Sequence, residues 1–427
     1  MKADELFALS YVRSMNSAGL HVAFLSHDRV QKGCNFLGSC SRPVDNRIPP
    51  MARMKVLRIA SCAFGLWMSG VLFPAFGQDK LVNVYGWSDF VDPKVIEDFT
   101  TETGIKVTYD TYPSDEGLEA RLAAGRTGFD VAIVPGRVLQ RQLAAGLYLR
   151  LDKTRLSNSK NLWPEVMALL AVHDPGNQYA VNYMWFTAGI AYNVEKATEL
   201  LGGAPADPQL AASVLDSWSI LFKPENLKKF SSCGVDVLDS SEDLFGIALQ
   251  YLRLDPASIR QIDLKRAADL LIGIRRDIKK FDSLEYADTL ANGDICLAVG
   301  TSEDSFRARD RAREAENGIN IDYAIPKEGA PVFLDNLAIL RDAPHVEEAY
   351  AFIDFLLRPG IAARNTNYTH LANGVLASKP AIDKNISGNK SIYPSAAVMQ
   401  RLFVPGNRDP ATQKLIAREW TRIKTGK

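Results

Sequence analysis

The hydrophobic pattern of this chain first becomes regular at residue 81. Residues 81–87 are predicted to form a strand that stops abruptly at Trp87-Ser88-Asp89. A helix is predicted next, because Asp92 can cap a first turn that opens with Pro93. An apolar stripe with helical spacing follows, and Gly104 is expected to end the helix.

The same alternation of strand and helix continues to residue 134. Residues 105–109 alternate as a strand, and residues 114–125 are predicted to form a helix capped by Ser114 or Asp115. Phe129–Val134 is a continuous apolar run, as expected of a strand buried on both faces. Strands that alternate with helices predict right-handed crossovers and a mainly parallel sheet.

The second half of the chain repeats this pattern less regularly. No linker of biased composition separates two parts, yet residues 78–427 are too many for one core. We therefore expect two α/β domains that the chain crosses between more than once, with a cleft and a hinge. One predicted strand ends just before Tyr192-Asn193, and two others span Ile295–Val299 and Leu334–Leu340. The predicted helices are Glu242–Leu252, Leu264–Ile278 and Val346–Leu357.

An export signal is predicted at residues 51–77. A basic segment precedes the apolar run Ile59–Phe73, and small residues follow it, so cleavage is expected before Gln78. An uncleaved signal anchor is the alternative, but the run is short and Pro74 interrupts it. Residues 1–50 resemble no targeting segment, so they are treated as an upstream extension outside the mature protein.

Charge and cysteine usage agree with an exported protein. The chain carries 50 basic and 50 acidic side chains, and removal of the basic leader leaves a mild acidic excess. Without a basic stripe, nucleic-acid binding is not expected. After the leader, Cys233 and Cys296 remain as a pair that forms either a disulfide or two buried thiols. The remaining histidines show no metal-ligand spacing, so no metal site is predicted.

Candidate chemistry appears where predicted strands end. Trp87 offers an aromatic face and Asp89 a carboxylate, and together they suit an organic cation. Ligands of parallel sheets sit beyond the carboxyl ends of the strands, where Arg137 also lies in Pro135-Gly136-Arg137. The catalytic motifs of proteases, hydrolases and nucleotide-binding enzymes are absent from the sequence. An enzyme is therefore not expected; paired carboxylates serving glycoside hydrolysis are the weaker alternative.

A resemblance makes the prediction more specific. From Leu81 to Lys427 the chain resembles bacterial periplasmic polyamine-binding proteins, including those of the putrescine class. The similar segments are YGWSDF, ETGIKVTYD, TGFDVAIVP, RQLAAGLYLRLDK, DSWSILFKPENLKK, LANGDICLAVG, IPKEGA and AYAFIDFLLRP. The resemblance implies a periplasmic α/β receptor with the type II two-lobed fold. Such a receptor acts as a monomer without a cofactor, closes on a polyamine and presents it to an inner-membrane ABC permease.

The resemblance also implies a division into lobes, a disulfide and a ligand-binding set. The first lobe is expected to comprise residues 78–186 and 309–357, and the second lobe residues 187–308 and 358–427. Cys233 and Cys296 are expected to be joined. The implied ligand-binding residues are Trp87, Ser88, Asp89, Asp243, Asp304, Phe333 and Asp335.

Three positions depart from the family pattern. Thr301 stands where the family has a tryptophan, Leu371 where it has a tyrosine, and Arg137 replaces part of a serine-rich turn. Each lost ring removes roughly 0.5–2 kcal/mol of cation–π attraction. If Arg137 points into the cleft, it would repel a diamine and suit a ligand that carries a carboxylate. Alternatives to putrescine are therefore a guanidino compound, another polyamine or an amino-acid-like cation. A receptor whose closed lobes contact a sensor is the separate alternative to transport.

Overall fold

The computed structural model describes residues 80–202, 214–405 and 408–426. These residues belong to one structural unit, Pro74–Lys427. The predicted extension 1–50, the signal peptide 51–77 and its cleavage point lie outside the described residues. Within the described ranges, no helix combines the length and the apolar character needed to cross a membrane.

Strands and helices alternate along the chain as the sequence predicts. The strands are β1 Leu81–Gly86, β2 Lys106–Thr111, β3 Val131–Pro135, β4 Ala180–Asn193, β5 Val235–Val237, β6 Lys280–Phe281, β7 Leu297–Thr301, β8 Ile321–Ala324, β9 Val332–Ile339 and β10 Ala372–Asn373. The helices are α1 Pro93–Thr103, α2 Asp115–Ala123, α3 Gly136–Ala144, α4 Pro164–Leu170, α5 Val194–Leu200, α6 Ser219–Phe222, α7 Pro224–Phe230, α8 Ser241–Tyr251, α9 Gln261–Ile274, α10 Tyr286–Ala291, α11 Ser302–Glu314, α12 Val346–Leu356, α13 Pro359–Thr369, α14 Lys384–Ser387, α15 Ala396–Met399 and α16 Pro410–Thr425.

The strands form two sheets that share the same arrangement of parallel and antiparallel strands. In the first lobe the order is β2-β1-β3-β9-β4, with β1 parallel to β2 and β3 and with β9 antiparallel to its neighbours. In the second lobe the order is β6-β5-β7-β4-β8, again with three parallel strands followed by an antiparallel one. Each lobe is therefore a parallel sheet extended by antiparallel strands.

Strand β4 belongs to both sheets. Its residues 180–187 pair with β9, and its residues 188–193 pair with β7 and β8. The chain therefore passes between the lobes within one 14-residue strand, near Thr187. A second passage joins β8 of the second lobe to β9 of the first.

Two of the expected lobe boundaries fit these pairings poorly. The boundary expected at residue 309 falls inside α11, and β8 beyond it pairs with the second-lobe part of β4. The segment from residue 358 begins in the first lobe, where α13 packs on α1 and α12 and β10 pairs with the first part of β4. The pairing of strands that are distant in sequence decides to which lobe each segment belongs, and local sequence patterns do not reveal that pairing. The other expected boundaries between the lobes stay a proposal.

Local signals explain the elements that carry the candidate site. Asp92 Oδ1 accepts a hydrogen bond from the Lys94 amide at 2.9 Å, Pro93 occupies the first turn of α1, and Gly104 ends the helix with φ 70°. These three predictions are confirmed. Because α1 stops there, the chain can enter β2, which runs parallel to β1.

The core lies on both faces of the first-lobe sheet. Val131 and Ile133 of β3 contact one apolar cluster, which includes Phe99 and Phe352. The intervening Ala132 and Val134 contact the other cluster, on the opposite face. This period of two explains why the strand reads as a continuous apolar run.

A disulfide fixes part of the second lobe. Cys233 follows α7, Cys296 precedes β7, and the two are joined with a Cα–Cα distance of 5.7 Å. This confirms the pairing that the family resemblance implied. The bond ties the strand that leads to Thr301 to the loop that leads to β5, and so supports the part of the site that the second lobe contributes.

Candidate ligand-binding cleft

Elements of both lobes line two adjoining hollows, which together we call the cleft. The first hollow has a volume of about 810 Å³ and the second about 620 Å³. They share Trp87, Phe90 and Glu303, so they form one continuous surface. The strand ends of the first lobe face the first turns of α8 and α11 across it.

The structure brings all of the sequence-predicted site residues to this cleft. The first hollow is lined by Trp87, Ser88, Asp89 and Leu371. The second is lined by Trp87, Arg137, Asp243, Thr301, Asp304, Phe333 and Asp335. Their chemical environments differ widely, which separates candidates for ligand contact from residues that support the walls.

Trp87 and Asp335 form the centre of the cleft. The Trp87 ring packs on Tyr112, with ring centroids 4.4 Å apart, and the Tyr109 hydroxyl donates to the Trp87 carbonyl at 2.8 Å. Asp335 is only 4% exposed. Burial raises its pKa well above the usual range, and the neighbouring Glu303 carboxylate raises it further. The Trp87 side chain opposes this rise. The ionised form of Asp335 is therefore unfavourable in the ligand-free protein, and an incoming cation would stabilise it.

Asp89 lies at the mouth of the first hollow. It is exposed, its backbone is left-handed with φ 57°, and it accepts weak hydrogen bonds at 3.4 Å from Ser88 Oγ and the Tyr368 hydroxyl. The left-handed backbone turns the chain away from β1 and keeps the carboxylate at the rim. Asp89 and Ser88 are therefore placed for the entry of a cation rather than for its enclosure.

Tyr368 supplies an aromatic group that the sequence prediction missed. Leu371, the expected counterpart of a family tyrosine, is 3% exposed and packs mainly in the first-lobe core. Tyr368, one turn earlier on α13, lines the first hollow and is 42% exposed. Its place could not be read from alignment, because it stands three residues from the expected position.

Asp304 is anchored by protein groups. The Tyr286 hydroxyl donates to Asp304 Oδ2 at 2.8 Å, and Arg307 pairs with the other oxygen. Thr301 Oγ1 accepts from the Asp304 amide at 3.2 Å and so caps α11. Thr301 therefore has a structural role in this wall, and Asp304 needs a ligand cation less than Asp335 does.

Glu303 is the most informative residue that the sequence prediction missed. It lines both hollows, in the first turn of α11 beside Asp304. Burial, reinforced by the Asp304 carboxylate, raises the pKa of Glu303 to about 7, although Arg307 opposes the rise. The available signal was its position next to Asp304, but only the direction of the helix shows that it faces the cleft.

Arg137 faces the second hollow. Its guanidinium lies over the Phe333 ring, 5.5 Å from the centroid, and Phe333 packs in turn on Phe186 at 5.2 Å. Among the residues that the structure describes, no carboxylate forms a salt bridge with it. Burial raises the pKa of Asp115, Asp243 and Asp335, and the charge of the Arg137 guanidinium opposes this rise without cancelling it.

Asp243 lies at the opposite wall of the second hollow. It occupies the first turn of α8, which Ser240 caps, and it is 3% exposed. Its Oδ1 accepts no hydrogen bond from any described residue. Burial raises the pKa of this carboxyl group. A buried acceptor without a partner is costly, so it marks a place for a donor group of a ligand.

Acidic side chains outnumber basic ones along both hollows. Such a surface attracts cations and offers aromatic rings against which an alkyl chain can pack. Among the described residues, no group of three or more His, Cys, Asp or Glu side chains is arranged to hold a metal ion. The acids and aromatic rings that line the cleft suit an organic cation.

Comparison with known proteins agrees with this geometry. Residues 94–386 match the family described as bacterial extracellular solute-binding protein. The chain is 42% identical over 372 residues to the putrescine-binding periplasmic protein PotF of Escherichia coli strain K12, covering 84% of this chain and 98% of that protein. It is 43% identical over 351 residues to the putrescine-binding periplasmic protein SpuD of Pseudomonas aeruginosa strain UCBPP-PA14, covering 82% and 93%.

A solved structure supports the fold. The spermidine/putrescine ABC transporter substrate-binding protein PotD from Streptococcus pneumoniae superposes with a TM-score of 0.72 at 24% identity, covering 81% of this chain and 99% of that one. At this identity the likeness concerns the fold, whose two lobes and central sheets are those described above. The chain therefore belongs to the bacterial extracellular solute-binding protein family and has its type II two-lobed periplasmic-binding-protein fold.

Proposed function

We propose that this protein is a periplasmic solute-binding protein that captures a polyamine-like organic cation of the putrescine class and delivers it to an ABC permease. The observation that carries the proposal is the buried Asp335 carboxylate between the Trp87 and Phe333 walls, with Glu303 beside it. The names of the relatives support the ligand class, since two of them are described as putrescine-binding periplasmic proteins. Export through a cleaved signal peptide at residues 51–77 is part of the proposal.

The proposed contacts divide the ligand into charged and apolar parts. Asp335 and Glu303 accept hydrogen bonds from an ammonium group, because an ammonium buried without acceptors is prohibitively costly. Trp87 and Phe333 pack on the methylene chain. Asp89, Ser88 and Asp304 complete the acidic rim, and Asp243 accepts from the far end of the ligand.

Capture follows from the position of these groups on two lobes. Asp335 and Trp87 lie in the first lobe, and Glu303 and Asp243 lie in the second. A cation that contacts both sides favours the closed arrangement over the open one, which shifts the population toward closure. The protein acts by binding alone and is not an enzyme, in keeping with a family of solute-binding proteins.

Calorimetric titration tests the proposal. The purified protein is titrated with putrescine, spermidine, agmatine and arginine, and a dissociation constant in the micromolar range or below is expected for at least one of them. Asp98, an exposed acid of α1 paired with Arg364, provides the control substitution Asp98→Asn, which should leave binding unchanged. If none of these cations produces a binding signal, the proposed ligand class is wrong.

A further inference from the structure

The second hollow carries two groups of opposite charge, and a simple diamine would pair with only one of them. One is the Arg137 guanidinium, which lies over Phe333 and forms no salt bridge among the described residues. The other is Asp243, 3% exposed, whose Oδ1 has no hydrogen-bond partner among those residues. Both line the same hollow, on opposite lobes.

These groups require opposite properties of one ligand end. Asp243 needs a hydrogen-bond donor, because its buried oxygen is otherwise unsatisfied. Arg137 offers donors in a fixed fork that matches a carboxylate, and it repels an ammonium. A group that donates to the first and accepts from the second satisfies both.

The first turn of α3 adds to this preference for an anion near Arg137. Pro135 precedes the helix and provides no side-chain cap, so the amides of the first turn are not capped by a side chain. These amides lie on the Arg137 side of the hollow, because Arg137 is the second residue of the helix. The partial positive charge of the helix end therefore acts in the same direction as the guanidinium.

We propose that the second hollow receives an α-amino-acid head group, with its carboxylate on Arg137 and its ammonium on Asp243, and that the cationic side chain reaches Trp87 and Asp335. This rests on the proposed capture of an organic cation. The favoured ligand class is then a linear basic amino acid, a polyamine relative that carries one carboxylate. The excess of acid over base in the cleft matches the net positive charge of such a molecule.

Three pairs of compounds isolate the contribution of the carboxylate. Ornithine and putrescine differ only by the α-carboxylate, as do lysine and cadaverine, and arginine and agmatine. Each compound is titrated calorimetrically into the wild-type protein at constant pH and salt. The amino acid of the best-binding pair is expected to bind about tenfold more tightly than its amine, since a bidentate guanidinium–carboxylate pair replaces a like-charge contact.

Substitution of Arg137 tests whether this residue causes the preference. Arg137→Gln should weaken the amino acid and strengthen the amine, so that the ratio of their affinities falls about tenfold or more. Arg137→Lys keeps the charge but loses the fork, and should give an intermediate ratio. Arg141→Gln, on the same helix but paired with Glu119, is the matched control and should leave the ratio unchanged. Thermal unfolding of each variant confirms that it is folded.

The outcomes separate this inference from the proposed function. Amines that bind wild-type protein as tightly as their amino acids overturn the inference and leave the proposed function intact. The inference is also overturned if Arg137→Gln and Arg137→Lys both keep the wild-type ratio. If neither the six compounds nor spermidine binds, the proposed function fails and the inference fails with it. If spermidine alone binds, only the inference is overturned.

Discussion

At the scale of single residues, the cleft holds carboxyl groups in surroundings that disfavour their charge. Burial raises the pKa of Asp335 and of Asp243, and burial with a neighbouring carboxylate raises the pKa of Glu303 to about 7. In the ligand-free protein this arrangement costs stability, because the unfolded chain ionises these groups more easily. A bound cation offsets that cost. The same carboxyl groups therefore strengthen cation binding and lower the stability of the ligand-free protein.

Asp335→Asn is expected to separate the two effects. The amide removes the charge that a cation would contact, so affinity for the cation should fall tenfold to a thousandfold, about 1.4–4 kcal/mol. The unfolding temperature of the ligand-free protein at pH 7 should rise, because a buried group that resists ionisation is gone. Calorimetry and thermal unfolding measure the two quantities, with Asp98→Asn as the control. Unchanged affinity would remove Asp335 from the proposed site.

The Glu303 carboxyl predicts a pH dependence with a definite sign. Its pKa rises from 4.5 in the unfolded chain to about 7 in the fold, so the folded state holds the extra proton between these values. The stability of the ligand-free protein should therefore fall as the pH rises from about 4.5 to about 7, whereas cation affinity should rise over the same window.

Glu303→Gln tests that assignment, since the amide cannot titrate. Both trends should flatten in the variant, as measured by denaturant unfolding and by calorimetry between pH 4.5 and pH 8. Asp335, whose pKa burial also raises, remains in the variant as another titrating acid of the cleft. Identical pH profiles in wild type and variant would remove Glu303 as the source of the dependence and point to Asp335 instead.

The residues that sequence reasoning found and missed differ in a simple way. Trp87 and Asp89 follow directly from a strand end, and Asp335 was placed by resemblance to a family. Glu303 and Tyr368 stand within three residues of expected positions, yet their direction depends on the turn of a helix. The orientation of Arg137 toward the cleft likewise required the packing of α3, which no local pattern reveals.

At the scale of elements, the first turn of α3 is fixed by a close contact. A Cβ atom at Gly136 would stand 2.2 Å from Cδ2 of His173, whose ring also lines the second hollow. Glycine at this position therefore lets α3 begin beside the ring and places Arg137 at the cleft.

Gly136→Ala is expected to destabilise the protein by about 1–3 kcal/mol, because the added methyl group overpacks this contact. Gly273→Ala is the matched control: the position lies in α9, and a Cβ atom there meets nothing within 4 Å. The control should be neutral or stabilising by up to about 1 kcal/mol. Denaturant unfolding measures both, and equal stability of the two variants would refute the packing argument.

The disulfide has a separate effect on the second lobe. Closing a loop with a sequence separation of 63 stabilises a fold by roughly 4 kcal/mol in the chain-entropy interpretation. The double substitution Cys233→Ser with Cys296→Ser should lower the free energy of unfolding by a similar amount. Unfolding of the wild type with and without reductant provides the comparison. A double variant as stable as the oxidised wild type would contradict this role.

Elements with local signals were predicted well, and those that depend on distant pairing were not. Helix α1 carries its cap, its proline and its terminal glycine within the sequence, so its bounds follow from residues 92–104. Strands β4 and β9 read as ordinary apolar strands, and nothing local shows that they run antiparallel to their neighbours. For that reason the lobe boundaries expected near residues 309 and 358 do not follow the strand pairing.

At the scale of the whole molecule, the two sheets are connected where the cleft is built. Strand β4 passes from one sheet to the other near Thr187, and the chain returns between β8 and β9, just before Phe333 and Asp335. The Thr187 hydroxyl and carbonyl both contact the Tyr323 hydroxyl of β8, at 3.0 Å and 2.9 Å. These passages are the candidate hinge, because a small change of backbone angle there would move the second-lobe acids relative to Asp335.

The central claim is that carboxylates from two lobes hold one organic cation against aromatic rings. A crystal structure of the protein with its tightest-binding amine or basic amino acid tests this most directly. The account predicts a ligand nitrogen within hydrogen-bonding distance of Asp335, methylene groups against Trp87 and Phe333, and contacts from Glu303 or Asp243 to the same molecule. A ligand bound outside this cleft, or touching the acids of one lobe only, would contradict it.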